Sequence, residues 1–339
     1  MRRHGDHHTK RKRMKKRMKG NKAMKQEFRK RGFPAVLAVV LILLMIMSSC
    51  GSSKDDPVSM RDQVAKALYS QSKEAKTGAV GGDWTVIALS KSGIETEKDY
   101  YDRYYDSVCE YVKKMKGDLS STKYTEYARL SIAASCIGKD PTDVAGYDLM
   151  KPAKDLDFVK KQGINGPAFA LIAANMAGYE PVLDSSDKYI DYILSQEIKG
   201  GGFALEGPEG SPYIDITAMT VQALSYYKDD AKVKKVIDRA VDVMADLQQE
   251  GGGYDSSESI SQTIIALTAA GIDPLTDQRF ITDGRTLVDA LAGYMTDDDM
   301  FAHEEGSDSD MMATEQALCA LDAVALADEG RMLYEAAGN

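Results

Sequence analysis

The chain has 339 residues, 43% of them hydrophobic and 28% charged, and a formal charge of −9 that is unevenly spread. Residues 1–32 hold fifteen Lys or Arg against Asp6 and Glu27, a net of +13, which leaves −22 on residues 33–339. A body that acidic is repelled by phosphate backbones, so nucleic acid is set aside as a partner. Beyond Cys50 there are three cysteines, Cys109, Cys136 and Cys319, without C-x-x-C spacing, and a single histidine, His303. A Ser-His-Asp set or a multi-histidine metal site would have to run through His303 alone, and no metal or other cofactor is expected.

The first element in chain order is an address. Residues 1–32 form a basic n-region and Phe33–Met47 an apolar h-region, followed by Met47-Ser48-Ser49-Cys50 and the polar tether that runs to Pro57. This order is that of a secretory signal over residues 1–49. It resembles the lipobox of bacterial lipoproteins, which implies lipid on Cys50 and a tether, residues 50–57, on the extracytoplasmic face of the cell membrane. An uncleaved anchor is the alternative, although the apolar run is shorter than the roughly 20 residues a bilayer requires.

Residues 58–335 repeat one unit. Gly138-Lys139-Asp140-Pro141, Gly178-Tyr179-Glu180-Pro181 and Gly271-Ile272-Asp273-Pro274 are three copies of Gly-x-acid-Pro, and Gly93-Ile94-Glu95-Thr96 is a fourth without proline. Glycine just past a helix, with proline following, is a stop signal. Each stop follows an apolar run. The runs are Trp84–Ser92, Tyr124–Ile137, Pro167–Ala177, Ile214–Tyr227, Ile260–Ala270 and Met311–Ala327. Between them lie amphipathic stretches such as Asp99–Met115, Lys188–Ile198 and Lys232–Leu247, with apolar residues at three- and four-residue spacing. Repetition of an amphipathic helix and an apolar helix predicts six helical hairpins, an all-α (α/α)6 toroid in one domain.

Two junctions carry a family resemblance. Gln196-Glu197-Ile198-Lys199-Gly200-Gly201-Gly202-Phe203 and Gln248-Gln249-Glu250-Gly251-Gly252-Gly253-Tyr254 each join an outer to an inner helix. Gly81-Gly82-Asp83-Trp84 and Gln162-Gly163-Ile164-Asn165-Gly166-Pro167 are looser versions. A glutamine, a glycine turn and an aromatic residue resemble the prenyltransferase/squalene-oxidase repeat of terpenoid cyclases and protein prenyltransferase β subunits. The toroidal half of vitamin B12 carriers is similar. The resemblance implies the toroid but hosts both enzymes and binders.

The catalytic patterns of the enzyme members are not matched. The nearest relation of D-x-D-D-T-A is Asp308-Ser309-Asp310-Met311-Met312-Ala313-Thr314, with Met311 in place of an aspartate. Asp297-Asp298-Asp299 reads as a solvated charge run, and no Asp-x-Cys pair with a histidine stands ready for zinc. The expected function is therefore noncatalytic binding of a small molecule or protein by a membrane-tethered toroid, which a separate β-domain or a transporter could complete. The alternative is an enzyme acting on a polyprenyl lipid. In a toroid the inner helices begin at one rim, and the candidate ligand-binding residues there are Asp83, Trp84, Tyr124, Asn165, Tyr213, Asp215 and Asp310, with Ser259, Phe203 and Tyr254 close by. Helix capping is the competing role for Asp83, Asp215 and Asp310.

Overall fold

Thirteen α-helices follow one another along the described residues: α1 (Pro57–Gln71), α2 (Asp83–Ser92), α3 (Tyr100–Met115), α4 (Tyr124–Cys136), α5 (Leu156–Val159), α6 (Asn165–Ala177), α7 (Glu180–Leu183), α8 (Ser186–Ser195), α9 (Ile214–Leu224), α10 (Ala231–Asp246), α11 (Ser257–Ala270), α12 (Leu287–Ala292) and α13 (Met311–Asp328). The computed structural model describes residues 56–335. The basic leader, the apolar segment, Cys50 and all but the last two residues of the tether lie outside them. The described chain is all-α, with isolated β-bridges and no strand. None of its helices is long and apolar enough to cross a membrane.

The glycine stops act as the repeat predicts. Gly93, Gly178 and Gly271 end α2, α6 and α11 with φ of 74°, 60° and 80°, and Gly138 turns the chain just past α4 with φ 72°. An L side chain at such a φ would be strained, so glycine ends the helix at little cost. The amphipathic helices bury one stripe each. α10 buries Val233, Val236, Ile237, Ala240, Val241 and Met244, each worth roughly 1.5–3 kcal/mol in gross transfer terms for the larger aliphatic side chains. The second class of helix is buried nearly all round, as in α11, where eleven residues from Ser257 to Ala269 are buried.

Those six apolar helices contact one another in a closed cycle. α2 packs on α4, α4 on α6, α6 on α9, α9 on α11 and α11 on α13, and α13 returns to α2. α1 packs against both α13 and α2, where the cycle closes. The outer members are less regular than six full helices. At the third outer position the helix is broken into a 3-10 turn at Lys151–Lys154, the single turn α5 and another 3-10 turn at Lys160–Gln162. Pro152 opens the first piece and the Asp155 carboxylate restarts the second by accepting from the Asp157 and Phe158 amides. The sixth outer helix, α12, has only six residues and starts on a Thr286–Asp289 capping box.

Cys109, Cys136 and Cys319 are all free thiols. After α13 the chain turns at Gly330 and runs back beneath the inner helices, burying Leu333 and Tyr334. Tyr226, in the 3-10 turn that extends α9, donates its hydroxyl to the Tyr334 carbonyl, and Lys91 Nζ of α2 donates to the Glu335 carbonyl at 2.7 Å. α2 and α9 stand opposite each other in the cycle, so this C-terminal strap crosses its base.

Candidate functional site

The starts of the inner helices meet at the other end. Asp83 on α2 accepts from Arg129 Nε of α4 at 2.9 Å, the amide of Thr125 on α4 donates to Gln162 Oε1 just before α6 at 2.8 Å, and Thr85 of α2 donates to Glu315 of α13. These contacts place the N-termini of α13, α2, α4 and α6 on one rim, and Asp215 beside Ser259 and Glu258 brings the starts of α9 and α11 together.

Helical register then decides which side chains face inward. Thr217 of α9 donates to the carbonyl of Phe203 and accepts from its amide, and Thr314 of α13 does the same with Phe301. Both threonines therefore face the outer layer. At about 100° per residue, positions two before, two after and five after each threonine lie on the opposite face. These are Asp215, Met219 and Gln222 on α9, and Met312, Gln316 and Cys319 on α13. On α11, Ser257 bonds the Ala302 carbonyl in the outer loop, which turns Gln262, five residues on, inward. The result is an amide ladder across three neighbouring helices. Gln222 Nε2 donates to Gln262 Oε1 at 2.9 Å and to the Gln262 carbonyl at 3.2 Å, and Gln262 Nε2 donates to Gln316 Oε1 at 3.0 Å.

The expected rim residues separate into three groups. Asp83 is buried and holds the Tyr104 hydroxyl at 2.7 Å, the Gly78 amide at 3.1 Å and Arg129, whose other branch takes Glu126 at 2.7 Å. It lies inside α2, whose N-cap is Gly82, so Asp83 is an ion-pair anchor and not a cap. Asp215 likewise lies inside α9, after the N-cap Tyr213, and does not cap it. Asp310 does cap α13, accepting from the Ala313 amide at 2.9 Å. Trp84 meets Phe169 of α6 edge-on at 6.2 Å, a contact that passes over the intervening α4. Asn165 and Asp215, at the starts of the adjacent helices α6 and α9, each keep a buried side-chain oxygen with no hydrogen-bond partner among the described residues.

Three expected residues pack instead of lining the mouth. Tyr124 is fully buried, stacked on Tyr127 and edge-on to Phe158. Phe203 is buried against Thr217, and the Tyr254 hydroxyl donates to the Met244 carbonyl at 2.7 Å. Their aromatic rings are as useful for filling the junction as for meeting a ligand, and the junction takes them. Tyr213 is 65% exposed and contributes its backbone amide to Phe203. Phe301, Asp310 and Thr314 repeat that junction, with the Asp310 amide donating to the Phe301 carbonyl, although no Gln-Gly-Gly run announces it in the sequence.

Charge at the rim is predominantly negative. Burial raises the Asp215 carboxyl above the usual range, partly offset by Ser259 and reinforced by Glu258. Glu258 holds His303 Nδ1 at 2.9 Å through both oxygens, and this bond raises the exposed imidazole above its ordinary value. Ser259 bonds inside the N-cap region of α11, its amide donating to Ser256 at 3.2 Å. Glu315 is pushed up to about 6 by burial. Asp322, two turns further along α13, is wholly buried and its carboxyl is raised well above the usual range by that burial, with Arg61 Nε at 3.8 Å. Glu315 and Asp322 face α2 and α1, away from the amide ladder.

The chain matches no protein-family model and no curated protein. The reading of the site consequently rests on its geometry. Arg129, Phe169, Gln222, Glu258, Gln262 and Gln316 belong to that geometry and were not among the residues expected from sequence. The signal for the three glutamines is present: each is the one amide side chain in a largely buried inner helix, where an unpaired polar group is costly.

Proposed function

We propose that the protein is an exported, lipid-anchored (α/α)6 toroid that binds a polar ligand or protein partner at the rim where its inner helices begin, without catalysing a reaction on it. The closed cycle of six apolar helices supports the toroid, and the Gln-Gly-aromatic junctions support its kinship with the prenyltransferase/squalene-oxidase repeat. Membrane attachment is through lipid on Cys50, on the extracytoplasmic face. The observation that carries binding over lipid chemistry is the inward amide ladder Gln222–Gln262–Gln316 beneath Asp215 and Glu258. An apolar polyprenyl chain against those amides and acids would strip them of hydrogen-bonding solvent without repaying it. The rim is open to a second polypeptide such as a small β-domain or a transporter subunit.

Two experiments test this. Cys50→Ala should abolish labelling by a fatty-acid analogue and release the chain from the membrane fraction; undiminished labelling would remove the lipid anchor. Trp84→Ala and Asp215→Asn should both lose ligands that the wild-type chain carries out of cell extract, read by native mass spectrometry beside melting temperature. If both variants lose only stability and keep every ligand, the binding site lies elsewhere.

A further inference from the structure

The inward face of α6, α9 and α11 has a chemical bias that narrows the ligand. Its unsatisfied groups are all acceptors. Asn165 Oδ1, Asp215 Oδ1 and Gln222 Oε1 are buried and have no hydrogen-bond partner among the described residues. Gln222 is the decisive one, because only 2% of it is exposed and its orientation is fixed. Its amide nitrogen donates to a backbone carbonyl, the Gln262 oxygen at 3.2 Å, so the nitrogen and oxygen cannot exchange places. The oxygen is left as a buried acceptor, which costs on the order of 1–3 kcal/mol unless something donates to it.

Charge selects the same class of ligand. Six helix starts contribute about half a positive charge each, which by itself favours anions. Asp83, Glu126, Asp215, Glu258, Asp310 and Glu315 stand at those starts and outweigh it. Arg129 is occupied by Asp83 and Glu126 on α4, and His303 by Glu258. Asp310 and Ser256 already take amides of the α13 and α11 first turns. What remains near Asn165, Asp215 and Gln222 is negative charge and lone pairs.

We propose that this face takes a small organic ammonium, its charged head at Asp215 and Asn165 and a second N–H donor about 10 Å deeper at Gln222, the rise of seven helical residues. The inference rests on the binding function proposed above and specifies its ligand class. Trp84 and Phe169, in edge contact beside α4, supply an aromatic wall on the same interior, which suits a cation better than an anion.

The test uses the full chain in detergent and 1,7-diaminoheptane, whose extended length matches that spacing, measured by calorimetric titration. The diamine should bind saturably and at least tenfold more tightly than heptan-1-amine, and heptanoate should not bind. Asp215→Asn should weaken the diamine tenfold or more. Gln222→Leu should reduce diamine affinity to that of the monoamine, with melting temperature read beside it because the change also removes the donor to Gln262 Oε1. Heptanoate binding as well as the diamine, or both variants keeping full diamine affinity, would overturn the proposal. If no amine binds but wild-type chain carries another ligand that Trp84→Ala releases, the ligand class is wrong and the binding function stands. If no ligand of any kind is retained, both fall.

Discussion

The two ends of the inner-helix cycle are built on opposite principles. At the rim, neighbouring helix starts are joined by charged and polar side chains: Asp83 with Arg129, Thr85 with Glu315, and the Thr125 amide with Gln162. At the base, the chain closes the cycle with itself, laying Leu333 and Tyr334 across it and tying the Tyr334 and Glu335 carbonyl groups to opposite helices. Cys136 and Cys319 lie near Tyr334, and burial raises both thiols. Helices of one repeat thus meet a wet, negatively charged opening at one end and an apolar plug at the other.

The largest expected effect probes the rim. Asp83→Ala removes the partner of a partly buried guanidinium and of the Tyr104 hydroxyl at once. Leaving Arg129 with Glu126 alone should destabilise the protein by about 3–5 kcal/mol, the range for breaking a buried pair from one side. Chemical denaturation checks it, and a loss below 1 kcal/mol would show that the rim network is solvated and weak.

The base is tested by Tyr334→Ala, which should cost about 3 kcal/mol for a large buried aromatic side chain. Its sharper readout is chemical. Cys319 and Cys136 should become reactive toward a disulfide reagent in the native protein, at a rate well above wild type. Unchanged thiol protection would mean that the strap does not seal the base.

The sequence disclosed the inner helices and their stops to within a few residues, because the apolar runs and the left-handed glycines are local signals. The outer layer was less legible. A broken third member follows from Pro152, Asp155 and Gly163 acting together, and α12 is short because it packs a loop-rich edge where no long amphipathic stripe is written. At the site, Asp83, Trp84, Asn165 and Asp215 were named from their place at or near helix starts, and so were Tyr124, Phe203 and Tyr254, whose rings pack at the junctions. Arg129, Glu258 and the glutamine ladder become visible only when helices separated by about 40 to 55 residues are brought side by side. No residue spacing encodes that adjacency.

Glu315 makes the stability of the rim depend on pH. Its folded-state carboxyl lies at about 6 against an ordinary 4.5, raised chiefly by burial. The raised value means that its contribution to stability is complete below the ordinary value and is lost as pH rises through about 6. Glu315→Gln keeps an oxygen for the Thr85 hydroxyl and cannot ionise. It should flatten the stability profile between pH 4.5 and 6 and raise stability at pH 7 by about 2 kcal/mol. A variant that retains the wild-type pH profile would assign that titration to another group, with Asp322 the first to examine.

The smallest effect separates the three aspartates that the sequence presents as equivalent. Asp310 precedes its helix and accepts from the Ala313 amide at 2.9 Å, whereas Asp83 and Asp215 sit within theirs. Asp310→Ala should therefore cost only the cap, about 1 kcal/mol, and Asp310→Ser should restore most of it, because serine caps a helix nearly as well. Asp83→Ser should rescue nothing, since its work is an ion pair that a hydroxyl cannot replace. Melting temperatures of the four variants, including both alanine forms, decide it: parallel rescue by serine at both sites would mean that Asp83 caps its helix after all. Rescue at Asp310 alone would keep rim charge and helix capping as separate properties of one ring of acids.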